Sequence, residues 1–216
     1  MTNKTFCFML AIITLNIKMT LNTYHQSYAL ISDTEIEKRS QTKEAELAIM
    51  FSRINPLLTK IPIKIAVLGC ADARMVKRNQ MMFERLFKHE VEIFTLDIKI
   101  EHLKGEQNII EHDCLLPIPN GPYDVCYSHV LLKFIVPEKQ FDVILNSYQV
   151  LTDGGMAIHV LDGNDYEIMG ENEKEGFYSV DLAFLENELL KNKLKFKFIH
   201  LPYGLGLIVK KLTLPM

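Results

Sequence analysis

The stretch that decides the fold is KIAVLGCADAR, residues 64–74. A short, continuous apolar run that contains β-branched residues stops at Gly69, and small residues, an acid and a base follow it. A run of this kind is typical of a strand that is buried on both faces of a parallel sheet. The stretch therefore predicts a strand over 63–69 and a tight turn into a helix over 73–89. It leaves open whether the turn binds a cofactor or only connects the two elements.

Outward from this stretch, strands and helices alternate along the chain. The remaining predicted strands are 91–98, 123–129, 156–162, 195–201 and 205–212, together with a strand that starts at 107 and runs into a loop with two prolines before 119. The remaining predicted helices are 32–58, 136–151 and 179–193. The predicted helix caps are Ser32, Asp33 and Ser179, and DGG at 153–155 is a predicted turn. The last two strands are joined by too few residues for a crossover helix, so they must be antiparallel. The alternation predicts an α/β fold whose sheet is mostly parallel, with one reversed strand near an edge.

The composition is that of an ordinary globular protein. The 216 residues are 48% hydrophobic and 24% charged, and the formal net charge is −3, which gives no sign of a surface for nucleic acid or anionic membranes. The four cysteines, Cys7, Cys70, Cys114 and Cys126, form no CxxC pair and have no histidine at metal-ligand spacing. We interpret them as reduced thiols rather than disulfides or a metal site, which predicts a cytoplasmic protein.

The N-terminus differs from the rest of the chain. TFCFMLAIITLNI, residues 5–17, is apolar, follows Lys4 and resembles the apolar region of a signal peptide. It is short of the roughly 20 residues that span a bilayer, so no transmembrane span is predicted. Three interpretations stay open: a leader that exports the protein, an over-extended start with Met19 as the initiator, or a segment packed on the domain. We expect residues 1–31 to form this N-terminal segment and residues 32–216 to form a single domain.

Candidate site residues lie where the first four predicted strands end. Ligands of an open α/β sheet bind beyond the carboxyl ends of its strands. Asp97 there offers two acceptor oxygens to a pair of ribose hydroxyls, and Asp113 offers an acceptor to an adenine amine. The small-residue loop lets a ligand approach the backbone closely. The predicted ligand is therefore nucleoside-like, and its predicted contacts are Leu68, Gly69, Cys70, Ala71, Asp72, Asp97, Ile98, Asp113, Cys114 and Ser128.

Residues 60–212 together resemble the class I S-adenosylmethionine-dependent methyltransferases. AVLGCADAR (66–74) is similar to their first motif, TLDI (95–98) to their second-strand acid, and FDVILNSYQVLTDGGMAIHVLD (141–162) to their helix, turn and fifth strand. The resemblance implies a Rossmann-like, doubly wound sheet of seven strands with helices on both faces. It also implies S-adenosylmethionine as cofactor and methyl transfer to an unidentified acceptor, by direct displacement. His129 is a weak candidate for a general base, because it follows the fourth strand, near the acceptor position of the family.

The chain departs from the family pattern at three positions of the first motif. Val67 stands where the family usually has an acid, and Ala71 and Ala73 stand where it usually has glycines. An alanine is tolerated at negative φ but costs about 1 kcal/mol or more at positive φ. The departures keep a second hypothesis open, a binding or regulatory protein on the same fold without catalysis. A nicotinamide-dependent dehydrogenase is disfavoured, because the turn lacks the G-x-G-x-x-G pattern.

The remaining local predictions concern the rim of the site. Asp72 is predicted to order its loop by accepting from nearby backbone amides, and Arg74 to begin the following helix. Residues 163–179, which carry five acids, are a predicted lid over the acceptor. The chain has neither the N-P-P-Y signature of amino methylation on bases nor the Pro-Cys motif of cytosine C5 methylation. A DNA substrate is therefore disfavoured, and the acceptor is not identified.

Overall fold

The computed structural model describes the backbone of residues 21–54, 58, 60–162 and 177–212. The apolar segment 5–17, the alternative start at Met19 and most of the predicted lid at 163–179 lie outside these described residues. None of the helices in the described ranges is both long and apolar enough to cross a membrane.

The described elements alternate as the sequence predicts. Their order is α1 (Leu21–Ala29), α2 (Asp33–Ile54), β1 (Ile63–Leu68), α3 (Ala73–Phe87), β2 (Val91–Asp97), a 3-10 helix (Glu101–Leu103), β3 (Ile109–Glu111), β4 (Tyr123–His129), a second 3-10 helix (Leu132–Phe134), α4 (Pro137–Gln149), β5 (Leu151–Asp162), α5 (Leu182–Lys191), β6 (Lys195–Leu201) and β7 (Gly204–Lys210).

The seven strands form one sheet in the order β3-β2-β1-β4-β5-β7-β6. Strands β1 to β5 pair in parallel, whereas β7 is antiparallel to both of its neighbours, β5 and β6. The strand order reverses between β1 and β4, so the carboxyl ends of these two strands flank the crevice in which α/β proteins bind ligands. The predicted fold is confirmed, including the single reversed strand next to the edge.

Helices cover both faces of this sheet. On one face, α2 and α3 contribute residues such as Leu47 and Phe83, which pack against the side chains of β1 and β4 that point to that face. On the other face, α4 and α5 contribute residues such as Ile144 and Leu189. A smaller cluster around Ile36 joins α1, α2 and α3 beside the carboxyl ends of the strands. The N-terminal helices therefore lie next to the crevice at the switch in strand order.

The structure refines one local prediction and corrects two. Strand β3 has only three residues, and the predicted loop with Pro117 and Pro119 follows it, beginning with a turn in which the Leu116 amide donates to the Asp113 carbonyl. Residues 153–155 lie within β5 rather than before it. They form a bulge, because the register with β4 shifts there: Tyr123 pairs with Leu151, whereas Val125 pairs with Met156. The cap of α5 is Asp181 rather than Ser179, because the Asp181 carboxylate accepts from the Phe184 amide at 2.9 Å.

Asp72 and Arg74 tie the N-terminal helices to the start of α3. As predicted, Asp72 accepts from a backbone amide, that of Arg74, at 2.8 Å, and its carboxylate also binds the Arg74 guanidinium through both oxygens. The same guanidinium donates to the carbonyls of Tyr28 and Ile31 and to the carboxylate of Asp33. One ion pair therefore holds α1, α2 and α3 together at the rim of the crevice.

We expect Asp72→Ala to destabilise the protein more than the loss of a helix cap alone. Removal of an aspartate N-cap costs about 1 kcal/mol, and Asp72→Ala also leaves the Arg74 guanidinium without its main partner. The expected loss in the free energy of unfolding is about 2–3 kcal/mol. Asp181→Ala, at the exposed cap of α5, is the matched control, with an expected loss of about 1 kcal/mol. Chemical denaturation measures both, and equal losses would contradict the role given to Arg74.

Candidate functional site

A cavity of about 610 Å³ lies at the carboxyl ends of the central strands. The loops after β1, β2, β3 and β4 form its floor, and α1, α2 and the second 3-10 helix form its walls. This volume is in the range of roughly 300–1,000 Å³ that small-molecule and cofactor sites occupy. The cavity is therefore large enough for a ligand the size of a nucleoside with a side chain.

Most of the predicted site residues lie at this cavity. The ones that line it are Gly69, Cys70, Ala71, Asp97, Ile98, Asp113, Cys114 and His129. Three others, Leu68, Asp72 and Ser128, are not among the lining residues. Leu68 packs in the apolar core, and Ser128 binds the imidazole of His159 at 2.8 Å. That these residues contact a ligand remains a prediction.

Asp97 is the central polar residue of the floor. Its side chain is buried, with an exposed fraction of 6%. One carboxylate oxygen accepts from the Cys70 amide at 2.8 Å, and the other accepts from the Lys99 amide at 3.1 Å. Each carboxylate oxygen has a further acceptor site. Asp97 thus joins the first and second loops and keeps acceptor capacity for a ligand with two neighbouring donors.

The first loop requires glycine at a single position. Gly69 has φ of 78°, and a Cβ there would lie 3.1 Å from Cδ1 of Leu131. Ala71 and Ala73 are not among the described residues with positive φ. The two alanines that replace family glycines therefore carry no left-handed strain, and the loop keeps its close turn without the second and third glycines.

Asp113 and Cys114 line the cavity on the side of β3. One Asp113 oxygen accepts from the Leu115 amide at 2.9 Å, which fixes the carboxylate at the start of the loop. Burial raises the pKa of Cys114 to about 12 and that of Cys70 to about 11. Both thiols are therefore protonated at neutral pH, and neither is an activated nucleophile.

The N-terminal helices add a wall that the sequence reasoning missed. His25 and Tyr28 of α1 and Arg39 and Lys43 of α2 all line the cavity. Burial lowers the pKa of Lys43, although the neighbouring Cys70 partly offsets this. The ammonium of Lys43 makes no hydrogen bond within the described residues, whereas Arg39 donates to the Tyr28 hydroxyl at 2.8 Å. The wall therefore brings two basic side chains, Arg39 and Lys43, to the cavity.

A buried carboxylate supports His129 at the end of β4. Nε2 of His129 lies 3.0 Å from Oε2 of Glu46 on α2, and Glu46 is 4% exposed. The next residue, Val130, has φ of 57°, which is a strained backbone conformation for a β-branched residue. Backbone strain of this kind often occurs at functional sites. Glu46 was not predicted. The available signal was the spacing of Arg39, Lys43 and Glu46, which places three charged residues on one face of a helix whose apolar residues are buried.

Solved structures with the same architecture are found, although no similar sequence is. No protein-family model matches the sequence, and no curated protein is significantly similar to it in sequence. An S-adenosylmethionine-dependent methyltransferase from Clostridium acetobutylicum has a similar structure, with a TM-score of 0.62 at 11% identity over 87% of this chain and 99% of that one. The N-methyltransferase NodS from Bradyrhizobium japonicum, in complex with S-adenosyl-L-homocysteine, has a TM-score of 0.55 at 13% identity over 91% of this chain and 98% of that one.

Human N-acetylserotonin methyltransferase, in complex with S-adenosylmethionine, is also similar. Its TM-score is 0.54 at 14% identity, over 89% of this chain and 55% of that one. Identities this low establish the architecture rather than the activity. The chain has the Rossmann-like fold of the S-adenosylmethionine-dependent methyltransferases, as its sequence resemblance predicts.

Proposed function

We propose that the protein is an S-adenosylmethionine-dependent methyltransferase that acts on an unidentified, small-molecule acceptor. The observation that carries the proposal is the position of Asp97. A buried carboxylate with spare acceptor capacity lies on the floor of a cavity at the switch in strand order, beside a loop whose positive φ at residue 69 favours glycine. This is the place and the chemistry that a nucleoside requires.

The nucleoside half of the cofactor is assigned to the loops after β1, β2 and β3. Asp97 accepts from the ribose hydroxyls, and Asp113 accepts from the adenine amine. Ile98 and Leu115, which both line the cavity, supply apolar contact to the base. These four residues fit the ligand in type, because the ribose and the amine need acceptors while the base faces need apolar surface.

The methionine half is assigned to the wall formed by α2. Its carboxylate requires a cation, and Lys43 lines the cavity with an ammonium that is unpaired within the described residues. Arg39, which is ion-paired with Glu35 at 3.2 Å, lies at the same wall. Val67, which is 2% exposed, replaces the family acid that often contacts the amino group. We propose that binding of this half depends on its carboxylate more than on its ammonium.

We expect Lys43→Met to weaken binding of S-adenosylhomocysteine about tenfold. A charge-assisted hydrogen bond to a carboxylate contributes about 1.5–3 kcal/mol, and 1.4 kcal/mol corresponds to a factor of ten. Lys38→Met is the matched control, because Lys38 is an exposed lysine on the same helix and should not change affinity. Titration calorimetry measures both. Unchanged affinity in Lys43→Met would show that another group holds the carboxylate.

The chemical step asks little of the protein beyond positioning. Bound cofactor supplies an activated methyl group, and alignment of the acceptor contributes about 7–11 kcal/mol. An acceptor that carries a proton also needs a base. His129, bound to the buried carboxylate of Glu46, is assigned that role, since a carboxylate on one ring nitrogen makes the other a stronger base. The pair favours a hydroxyl acceptor over one that is already nucleophilic.

The proposal is tested by titration of the purified full chain with S-adenosylmethionine and S-adenosylhomocysteine, with NADH as the control ligand. Micromolar binding of the first two without binding of NADH supports it. A screen of hydroxyl, carboxyl and amine acceptors, read out as S-adenosylhomocysteine formed, then tests turnover. Binding without turnover on any acceptor would favour a catalytically inactive binding protein on the same fold. No binding up to millimolar concentrations in a folded sample would overturn the proposal.

The compartment is proposed on the state of the thiols. Cys70, Cys114 and Cys126 are all free in the described part of the chain, and burial raises the pKa of each. Unpaired thiols of this kind are typical of a reducing compartment. We therefore propose a cytoplasmic location.

A further inference from the structure

Two histidines from different elements lie beside Asp97. His25 belongs to α1, and His102 belongs to the 3-10 helix that follows β2. One donor atom from each histidine and one Asp97 oxygen all lie within 4.8 Å of one another. The two imidazole rings are stacked, with centroids 3.8 Å apart. Sequence spacing gave no sign of this group, because its members come from distant parts of the chain.

The separations are close to those of ligands on one metal ion. Zinc binds imidazole nitrogen and carboxylate oxygen at about 2.0–2.2 Å, so two ligand atoms of a tetrahedral site lie about 3.4 Å apart. Donors that are at most 4.8 Å apart therefore need side-chain movements of only about 1 Å to meet on one ion. Rotamer adjustments of this size leave the backbone in place.

Hydrogen bonds orient the side chains of Asp97 and His102. Asp97 is held by the amides of Cys70 and Lys99. Nε2 of His102 lies 2.6 Å from the Cys70 carbonyl, and because a carbonyl only accepts, this nitrogen carries the proton and Nδ1 carries the lone pair. Partners of this kind fix the tautomer and the ring orientation of metal-binding histidines. Asp97 and His102 thus have the outer hydrogen-bond partners that orient metal ligands in proteins.

We propose that His25, Asp97 and His102 form a binding site for one divalent transition-metal ion of the zinc or cobalt class. Two imidazoles and one carboxylate suit these borderline ions, whereas magnesium and calcium prefer oxygen ligands alone. With three protein ligands, the ion keeps an open position towards the cavity. It would also connect α1 to the loop after β2.

Metal binding has a consequence for the cofactor. The ion occupies one of the two Asp97 oxygens that a ribose would use and brings positive charge to the same position, so metal and nucleoside compete for Asp97. This competition rests on the proposed function, whereas the metal site itself does not. The cavity then has two states: one that accepts the cofactor, and one in which a metal ion closes the ribose position.

Cobalt(II) titration of the full chain tests the site, because cobalt bound by histidine gives visible ligand-field absorption. We expect one cobalt ion per chain, displaced by zinc and not by magnesium. His25→Ala and His102→Gln should each weaken binding by more than the roughly 10–100-fold that loss of an outer partner costs. His102→Gln retains an amide donor towards the Cys70 carbonyl, and circular dichroism checks that both variants fold. His200→Ala is the control, since His200 is exposed on β6.

The outcomes separate the two proposals. Absence of cobalt binding, or retention of it by either His25→Ala or His102→Gln, overturns the metal site. Addition of S-adenosylhomocysteine should release cobalt in proportion to its occupancy. If S-adenosylhomocysteine does not bind in calorimetry, the proposed function fails while the cobalt result stands by itself. If both bind to the same chain at once, the competition at Asp97 is wrong.

Discussion

Replacement of Asp97 by alanine is expected to weaken binding of S-adenosylhomocysteine by about 100-fold or more. Two hydrogen bonds from ribose hydroxyls to a carboxylate contribute about 1.5–3 kcal/mol each, and every 1.4 kcal/mol is a factor of ten. Alanine also releases the Cys70 amide, which Asp97 holds at 2.8 Å, so the first loop loses an anchor. Titration calorimetry measures the affinity directly.

Two further variants make the Asp97 prediction specific. Asp97→Asn keeps one acceptor oxygen and loses the charge, so its affinity should lie between those of the wild type and Asp97→Ala. Glu111→Ala is the matched control, because Glu111 pairs with Asp97 in the strand register yet is exposed and does not line the cavity. Affinity in Glu111→Ala should not change. Wild-type affinity in a folded Asp97→Ala sample would refute the ribose assignment.

His129→Ala is expected to reduce kcat by about 10²–10⁴-fold, which is the usual contribution of a positioned general base. Glu46→Gln should cause a smaller loss, because the amide keeps a hydrogen bond to His129 but not the charge that stabilises its protonated form. His129→Ala should not change the affinity for S-adenosylhomocysteine, since His129 is not assigned to the cofactor. The measurement is kcat with a hydroxyl acceptor found in the screen.

The pH dependence distinguishes catalysis from packing. A base must be unprotonated to act, so wild-type kcat should rise with pH and then level off. His129→Ala should lose this rise. His112→Ala is the control, because His112 also lines the cavity and its imidazole lies 3.3 Å from the exposed Leu116 carbonyl rather than beside a carboxylate. An unaltered pH profile in His129→Ala would show that His129 has a structural role.

The predictions that succeeded depend on neighbours along the chain. The span predicted for β4, 123–129, matches the observed strand from Tyr123 to His129, because a buried strand is an apolar run between turn residues. Ser32 accepts from the Glu35 amide at 3.2 Å as its cap pattern indicates. The bulge at 153–155 was not predicted, because it depends on how β5 pairs with β4, a strand from a separate part of the chain.

Ser128 and His129 show the limit of that reasoning at the site. Consecutive side chains of a strand point to opposite faces of the sheet, so at most one of Ser128 and His129 could reach a given ligand. The register of β4 with β5 places Ser128 opposite His159, and burial lowers the pKa of His159 to about 4. Ser128 therefore belongs to a neutral, buried pair, while His129 lines the cavity. Only the pairing of β4 with β5 showed that Ser128 is buried in the sheet and that His129 is the one at the cavity.

The sequence by itself determined the α/β alternation, the reversed last strand, the glycine at 69 and the acid that ends β2. These features are local, because a strand, a turn and a strand end are each written in a few consecutive residues. The tertiary structure alone decided the wall of α1 and α2, the pair of Glu46 with His129 across 83 residues, and the meeting of His25 and His102 at Asp97. The physical reason is that these contacts form between surfaces of separate elements, and their geometry is set by how the helices pack on the sheet.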